Sequence, residues 1–159
     1  MQVIGIREED FANYKDPSLF ICTASCDFKC DRDCGKQVCQ NRNLVGEKRI
    51  DADDDDLIKD YIENPITEAI VFGGLEPFDQ YDELFKFISK FRIEYERLDP
   101  IVIYTGYIYR EIEGEIRMLS VFPNIIVKFG RYRPGQEPHF DKVLGVNLAS
   151  DNQFAAAIS

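Results

Sequence analysis

Five of the 159 residues are cysteine, at positions 22, 26, 30, 34 and 39, and the chain carries a single histidine, His139. The donor set is sulfur without imidazole. Soft thiolates select zinc or iron–sulfur clusters, and three or four of them converging from one segment can hold either. Four of the cysteines recur every four residues, but on a continuous helix positions eight apart are separated by about 12 Å along the axis, too far for one compact site. A metal site here therefore requires an irregular loop, and Asp27, Asp31, Asp33 and Gly35 are loop-forming residues. Cys22 directly follows the apolar run at residues 19–21, where a buried, inert thiol is expected. His139 follows a stretch containing proline and glycine and reads as a loop histidine without a catalytic role.

The length suits one domain covering residues 1–159, and 45% apolar residues suffice for a real core. No apolar run reaches the ~18 residues of a membrane span, and the first residues lack the basic and apolar regions of a signal peptide. The expected location is the cytoplasm, a reducing compartment in which clustered cysteines are metal ligands or redox groups rather than disulfides. A net charge of −10 argues against a nucleic-acid partner. Lys29, Arg32, Lys36, Arg42, Lys48 and Arg49 nevertheless gather basic charge in and after the cysteine segment. They offer either a solvated loop surface or a means of steering an anionic ligand.

Short apolar runs alternate along the chain with segments of helical period, the pattern of an α/β fold with a mostly parallel sheet and right-handed crossovers. Strands are expected at residues 19–21, 69–72, 101–104 and 125–127, with a last short one at 142–146. Asp53 to Asp56 form the acidic first turn of a helix that ends at Asn64-Pro65. Asp79 is placed to cap a helix with Tyr81, Leu84, Phe85, Ile88 and Phe91 on its apolar face. Ile112, Ile116 and Leu119 mark a third helix, weakened by Gly114.

The strand ends do not read as core. They carry Gly73-Gly74-Leu75-Glu76-Pro77, Thr105-Gly106-Tyr107 and Lys128-Phe129-Gly130-Arg131-Tyr132. If the strands are parallel, these segments share one rim with the cysteines, where α/β proteins place their chemistry. Glycine pairs let a ligand approach the backbone, and Glu76 could accept from an ammonium group.

Taken together and in order, these segments resemble the radical S-adenosylmethionine superfamily, in particular its branch of anaerobic ribonucleotide reductase activating proteins. Ser25-Cys26-Asp27-Phe28-Lys29-Cys30 and Cys39-Gln40-Asn41 resemble the family's cluster motif, and Gly73-Gly74-Leu75-Glu76-Pro77 resembles its methionine-binding segment. Thr105-Gly106-Tyr107, Gly130-Arg131-Tyr132 and Ser150-Asp151-Asn152-Gln153 are similar to later segments of that branch. The resemblance implies a small, partial (open) βα barrel with a cysteine-rich cluster loop after the first main strand. It implies a [4Fe–4S] cluster on Cys26, Cys30 and Cys39, with no catalytic residue beyond these ligands. S-adenosylmethionine would be held by Gly73, Gly74, Glu76, Thr105 and Asn41, and cleaved reductively to a 5′-deoxyadenosyl radical. The implied partners are a glycyl-radical enzyme, such as anaerobic ribonucleotide reductase, and an electron donor such as a flavodoxin or ferredoxin.

Two departures stand out. The family spacing is CxxxCxxC, whereas residues 31–38 separate Cys30 from Cys39 here, and Leu75 is one residue more than the family's Gly-Gly-Asp/Glu spacing expects. Cys39 is preferred as third ligand because Asn41 continues the family pattern. Cys34, inside the insertion, could replace it or add a fourth thiolate. Two alternatives follow: a radical enzyme acting on a small molecule or peptide, and a non-enzymatic zinc or iron–sulfur module using Cys26, Cys30, Cys34 and Cys39.

Overall fold

The computed structural model describes residues Met1–Ser159. The chain runs β1 (Gln2–Asp10), β2 (Ser18–Thr23), α1 (Lys29–Cys34), β3 (Ile50–Asp51), α2 (Asp54–Glu63), β4 (Ala69–Gly74), α3 (Tyr81–Ile93), β5 (Ile101–Tyr104), α4 (Glu113–Leu119), β6 (Ile125–Phe129), β7 (His139–Asp141), β8 (Val146–Leu148) and β9 (Phe154–Ala157). Seven strands form one sheet in the order β3-β1-β2-β4-β5-β6-β9. Its centre, β2-β4-β5-β6, is parallel, and β1, β3 and β9 add antiparallel margins. The sheet is open, with β3 and β9 at its two edges.

The central strands read as unbroken apolar runs because both of their faces are covered. Alternate residues serve the two faces. Ile70, Phe72, Ile101, Ile103, Ile125 and Val127 join the α2, α3 and α4 side chains in the larger core, whereas Ala69, Val71 and Val102 meet Tyr14, Leu144 and Leu148 in a smaller one. The α2 start follows the acidic run as expected, with the Asp53 side chain accepting from the N–H groups of Asp55 and Asp56 at 2.8 and 3.3 Å.

Four expectations need correction. Asp79 does not cap α3; Gln80 precedes that helix, and Asp79 lies in a 3₁₀ turn, Pro77–Gln80. Residues 142–145 are a turn rather than a strand, because Asp141 Oδ1 accepts from the N–H groups of Val143 and Leu144, both at 2.9 Å, and folds the chain into the β7–β8 hairpin. The cysteine segment is not wholly irregular, since Lys29–Cys34 forms a short helix bounded by left-handed Phe28 (φ 56°) and Gly35 (φ 63°). His139 is not a loop residue, since it opens β7 and is half-buried. Two strands lack a sequence signal: β1 and β9 carry no clear period-two pattern, and in β9 the Phe-Ala-Ala-Ala sequence favours helix by propensity and is made a strand by pairing with β6.

Candidate functional site

The parallel register brings the carboxyl ends of β2, β4, β5 and β6 to one rim. Cys22 and Thr23 lie opposite Gly73 and Gly74, and the Thr23 hydroxyl donates to the Gly73 carbonyl at 3.0 Å. The second glycine is obligatory: Gly74 has φ +87°, and a Cβ there would lie 2.1 Å from Cys22 Sγ. A cavity of about 710 Å³ opens over this rim. Cys26, Cys30, Cys39 and Asn41 border it from the cysteine segment, and Gly73, Gly74, Glu76 and Thr105 border it from the strand ends. Cys22 reaches its wall from β2. Cys34 does not; it borders a neighbouring cavity of about 450 Å³ on the other side of α1.

On the sulfur side, all five cysteines are free and partly buried. Burial pushes the Cys26 thiol up to about 12, against the N–H of Phe28, which donates to its sulfur at 3.3 Å. Burial also pushes Cys30 up to about 11, reinforced by the neighbouring Cys39 thiol. A bound cation reverses this order, because thiolates are the ligating form and the metal removes the proton. Three partly desolvated thiols on one hollow, without an imidazole, match the donor set of an iron–sulfur cluster.

Asp31 organises this side, a role not legible from its type alone. Its Oδ1 accepts from the N–H groups of Val38 and Cys39, both at 2.8 Å, and Arg42 pairs with Oδ2. The Val38 N–H holds the Asp31 carboxyl below its usual range, helped by the Cys39 N–H and Arg42. One carboxylate on α1 thus folds the insertion back so that Cys39 lies beside Cys30. Asn41 fastens the far end, donating from Nδ2 to the Gly74 carbonyl at 2.7 Å. The basic residues are largely engaged within the segment: Arg32 with Asp27 at 2.8 Å, Arg42 with Asp31, and Lys29 over the Tyr107 ring at 3.7 Å.

On the strand-end side, Glu76 is only 6% exposed. Its Oε1 accepts from the Phe78 N–H at 3.2 Å and its Oε2 from the Gly106 N–H at 2.8 Å, so it joins the ends of β4 and β5. Burial raises its carboxyl to about 7, against the N–H of Gly106 and the Thr105 side chain, which favour the charged form. The Glu76 N–H donates to the Ser25 carbonyl at 2.6 Å, linking this wall to the start of the cysteine segment. Thr105 is buried, and its Oγ1 accepts from the Tyr107 N–H at 2.9 Å. Asp79 contributes as a brace, taking the Asp27 N–H at 2.8 Å and the Tyr107 hydroxyl at 2.5 Å.

Lys128 is a cavity residue that sequence reasoning did not single out. It is 6% exposed, and its Nζ donates to the Gly130 carbonyl at 2.8 Å. Burial lowers its ammonium group to about 8, with Glu76 opposing the shift. The available signal was a lysine at the end of an otherwise apolar buried strand. Gly130 (φ +97°) is enclosed by residues 152–153: a Cβ there would meet the Asn152 carbonyl at 2.9 Å, and Gln153 Nε2 donates to the Gly130 carbonyl at 3.2 Å. The Ser150–Gln153 stretch is therefore a brace for this corner of the rim.

A family model described as "4Fe-4S single cluster domain" matches residues 17–145, a span that holds all five cysteines and the parallel centre of the sheet. No curated protein and no solved structure gives a match. No helix is long and apolar enough to cross a membrane.

Proposed function

Because the chain belongs to the 4Fe-4S single cluster domain family and binds a cluster of that type, we propose that Cys26, Cys30 and Cys39 hold the cluster and that the cavity above the rim also takes S-adenosylmethionine. The observation carrying this reading is the convergence, on one cavity of about 710 Å³, of three cysteine thiols with Gly73, Gly74, Glu76 and Thr105. That volume lies within the range of small-ligand sites, roughly 300–1,000 Å³. Held there by the three cysteines, the cluster would supply the reducing electron that splits S-adenosylmethionine into methionine and a 5′-deoxyadenosyl radical.

The residues of the chain bind, orient and screen. Glu76 keeps lone pairs beyond the two backbone bonds it makes and can accept from the ammonium end of the methionine group. Gly73 and Gly74 present backbone in place of side chains beside it, and Lys128 adds positive charge on the same wall. Thr105 fixes the turn that carries the Gly106 N–H. Asn41 holds the cysteine segment over the diglycine. The radical acts on a glycyl-radical enzyme, of the anaerobic ribonucleotide reductase kind, and a flavodoxin or ferredoxin supplies the electron. A chain of 159 residues has little mass with which to enclose a large substrate, which favours one presented by a partner.

The test is anaerobic reconstitution followed by iron and sulfide analysis, electron paramagnetic resonance with and without S-adenosylmethionine, and chromatography for 5′-deoxyadenosine. A cluster signal that changes on adding the cosubstrate, together with 5′-deoxyadenosine, is the expected result. A cluster indifferent to S-adenosylmethionine would leave an electron-transfer or structural module. Cosubstrate cleavage without a glycyl radical on a co-encoded partner would move the substrate to a small molecule or peptide.

A further inference from the structure

The cavity of about 450 Å³ beside α1 adjoins the cluster site, and Cys30, Arg131 and Tyr132 border both hollows. It is bounded by α1 on one side and by the segment after β6, residues 131–136, on the other. Its charge runs against that of the molecule. In a chain of net charge −10, Lys36, Arg131 and Arg133 converge on this hollow, and Asp33 is the single acidic residue in its wall. Lys36 and Arg133 form no ion pair, unlike Lys29, Arg32 and Arg42 nearby.

The wall is held in place. Arg131 is 12% exposed, fixed by Glu111 at 2.7 Å, and Asp33 lies 3.2 Å from its Nε. The Arg133 N–H donates to Ser150 Oγ at 3.3 Å, pinning the segment that carries the second guanidinium. Asn152 Nδ2 donates to the Arg131 carbonyl at 2.8 Å, which orients the amide and leaves its Oδ1 without a partner. Asp33 is itself 60% exposed. A solvent-exposed carboxylate thus occupies the position on Arg131 that an external anion would take. Guanidinium forks and ammonium groups around one hollow suit phosphate, whose oxygens accept several charge-assisted hydrogen bonds at once.

We propose that this second cavity binds a phosphate-bearing small molecule, with Lys36 and Arg133 on the phosphate oxygens and Arg131 released to them by displacement of Asp33. The volume admits a ligand up to the size of a mononucleotide, with Tyr132 in the wall as a stacking surface for a base. The site shares Cys30, Arg131 and Tyr132 with the larger cavity, but its phosphate contacts do not rest on the reading given for that cavity, and its test needs no cluster chemistry.

The experiment is calorimetric titration of the full chain, under argon and at low salt, with inorganic pyrophosphate, ATP and citrate. Pyrophosphate and ATP are expected to bind at one site per chain, more tightly than citrate. The exposed double change K36E with R133E should weaken them by about tenfold or more, since two charge-assisted contacts are reversed. K59E with K142E, which alters net charge equally at other exposed positions, should do so far less. Asp33→Asn should tighten binding by freeing Arg131. ATP bound more tightly than pyrophosphate, with the advantage lost in Tyr132→Ala, would identify a nucleotide; equal affinity would identify phosphate alone as the recognised group. Absence of binding heat, binding unaffected by K36E with R133E, or citrate bound as tightly as pyrophosphate would overturn the proposal.

Discussion

The two halves of the proposed cluster site are built by different physics. The strand-end half stands on β4, β5 and β6, where Ile70, Phe72, Ile101, Ile103, Ile125 and Val127 are completely buried. The cysteine half has no such base: α1 contains no buried residue, and the links from this segment to the rim are polar, through Asp27, Asn41 and the Asp33–Arg131 pair. Burial of apolar area stabilises the first half whether or not a ligand is present. The second half is poised by hydrogen bonds near water, each with a small net contribution, so ligation itself must contribute much of its order. The candidate site is thus a densely packed wall facing a polar segment that metal ligation is expected to complete.

The sharpest way to break this contrast is to remove ligands. Changing Cys26, Cys30 or Cys39 to Ala should abolish the cluster, while Cys22→Ala and Cys34→Ala should retain roughly four irons per chain, as a Cys-ligated [4Fe–4S] centre requires. Iron and sulfide analysis of the reconstituted proteins reads the result. Loss in Cys34→Ala with retention in Cys39→Ala would reverse the assignment.

On the densely packed half, Phe72→Ala removes a fully buried ring that packs edge-on against Phe87 at 5.2 Å. It should cost about 3–5 kcal/mol, measured by denaturant unfolding. Asp31→Ala should behave oppositely: thermal stability of the cluster-free protein should change little, while cluster retention under chelator should fall, because the N–H groups of Val38 and Cys39 lose their shared acceptor. An equal loss of stability in both variants would erase the distinction between the halves.

Glu76 supplies a pH-dependent test of the buried wall. Its folded-state carboxyl is raised to about 7, so between the ordinary carboxylate range and pH 7 the native chain binds a proton that the unfolded chain has lost. This contribution is fully present below the unfolded value and is lost as pH rises to about 7, so stability from this group falls across that window. Lys128 acts the other way, with stability recovering above about pH 8 toward the normal lysine range. Denaturant midpoints measured from pH 4 to 8 should show the decline in the wild type and a flatter profile in Glu76→Gln. In the loaded protein the same variant should keep its iron and bind S-adenosylmethionine more weakly. The smallest effect belongs to an exposed pair on the scaffold: Arg117→Ala, which removes the bond to Glu113 at 2.6 Å in α4, should cost only ~0.3–0.5 kcal/mol in the same unfolding assay.

Much of this architecture was open to inspection in one dimension. Buried parallel strands are continuous apolar runs, so β2, β4, β5 and β6 stand out, as do the helices with regular apolar faces. The Asp53–Asp56 run marks a helix start because the side chain of Asp53 bonds its own neighbours, a local interaction. The glycines of the rim and the cysteines are conspicuous by type. Parallel pairing then obliges the strand ends to lie together, and residues as far apart as Cys26 and Thr105 border one cavity.

Tertiary structure decided what depends on partners distant in sequence. β1 and β9 become strands by pairing with β2 and β6, against weak local pattern. Lys128 and Glu76, both buried, border one cavity because β4 and β6 flank β5. The separation of Cys34 from the other thiols was likewise undetermined by spacing, since a loop of given length can return a sulfur to many positions. It is resolved by the Asp31 carboxylate, which draws Val38 and Cys39 back over α1, and by the single helical turn that turns Cys34 toward the second cavity. Residue types determined which chemistry this chain can support; long-range hydrogen bonds determined which of those residues meet.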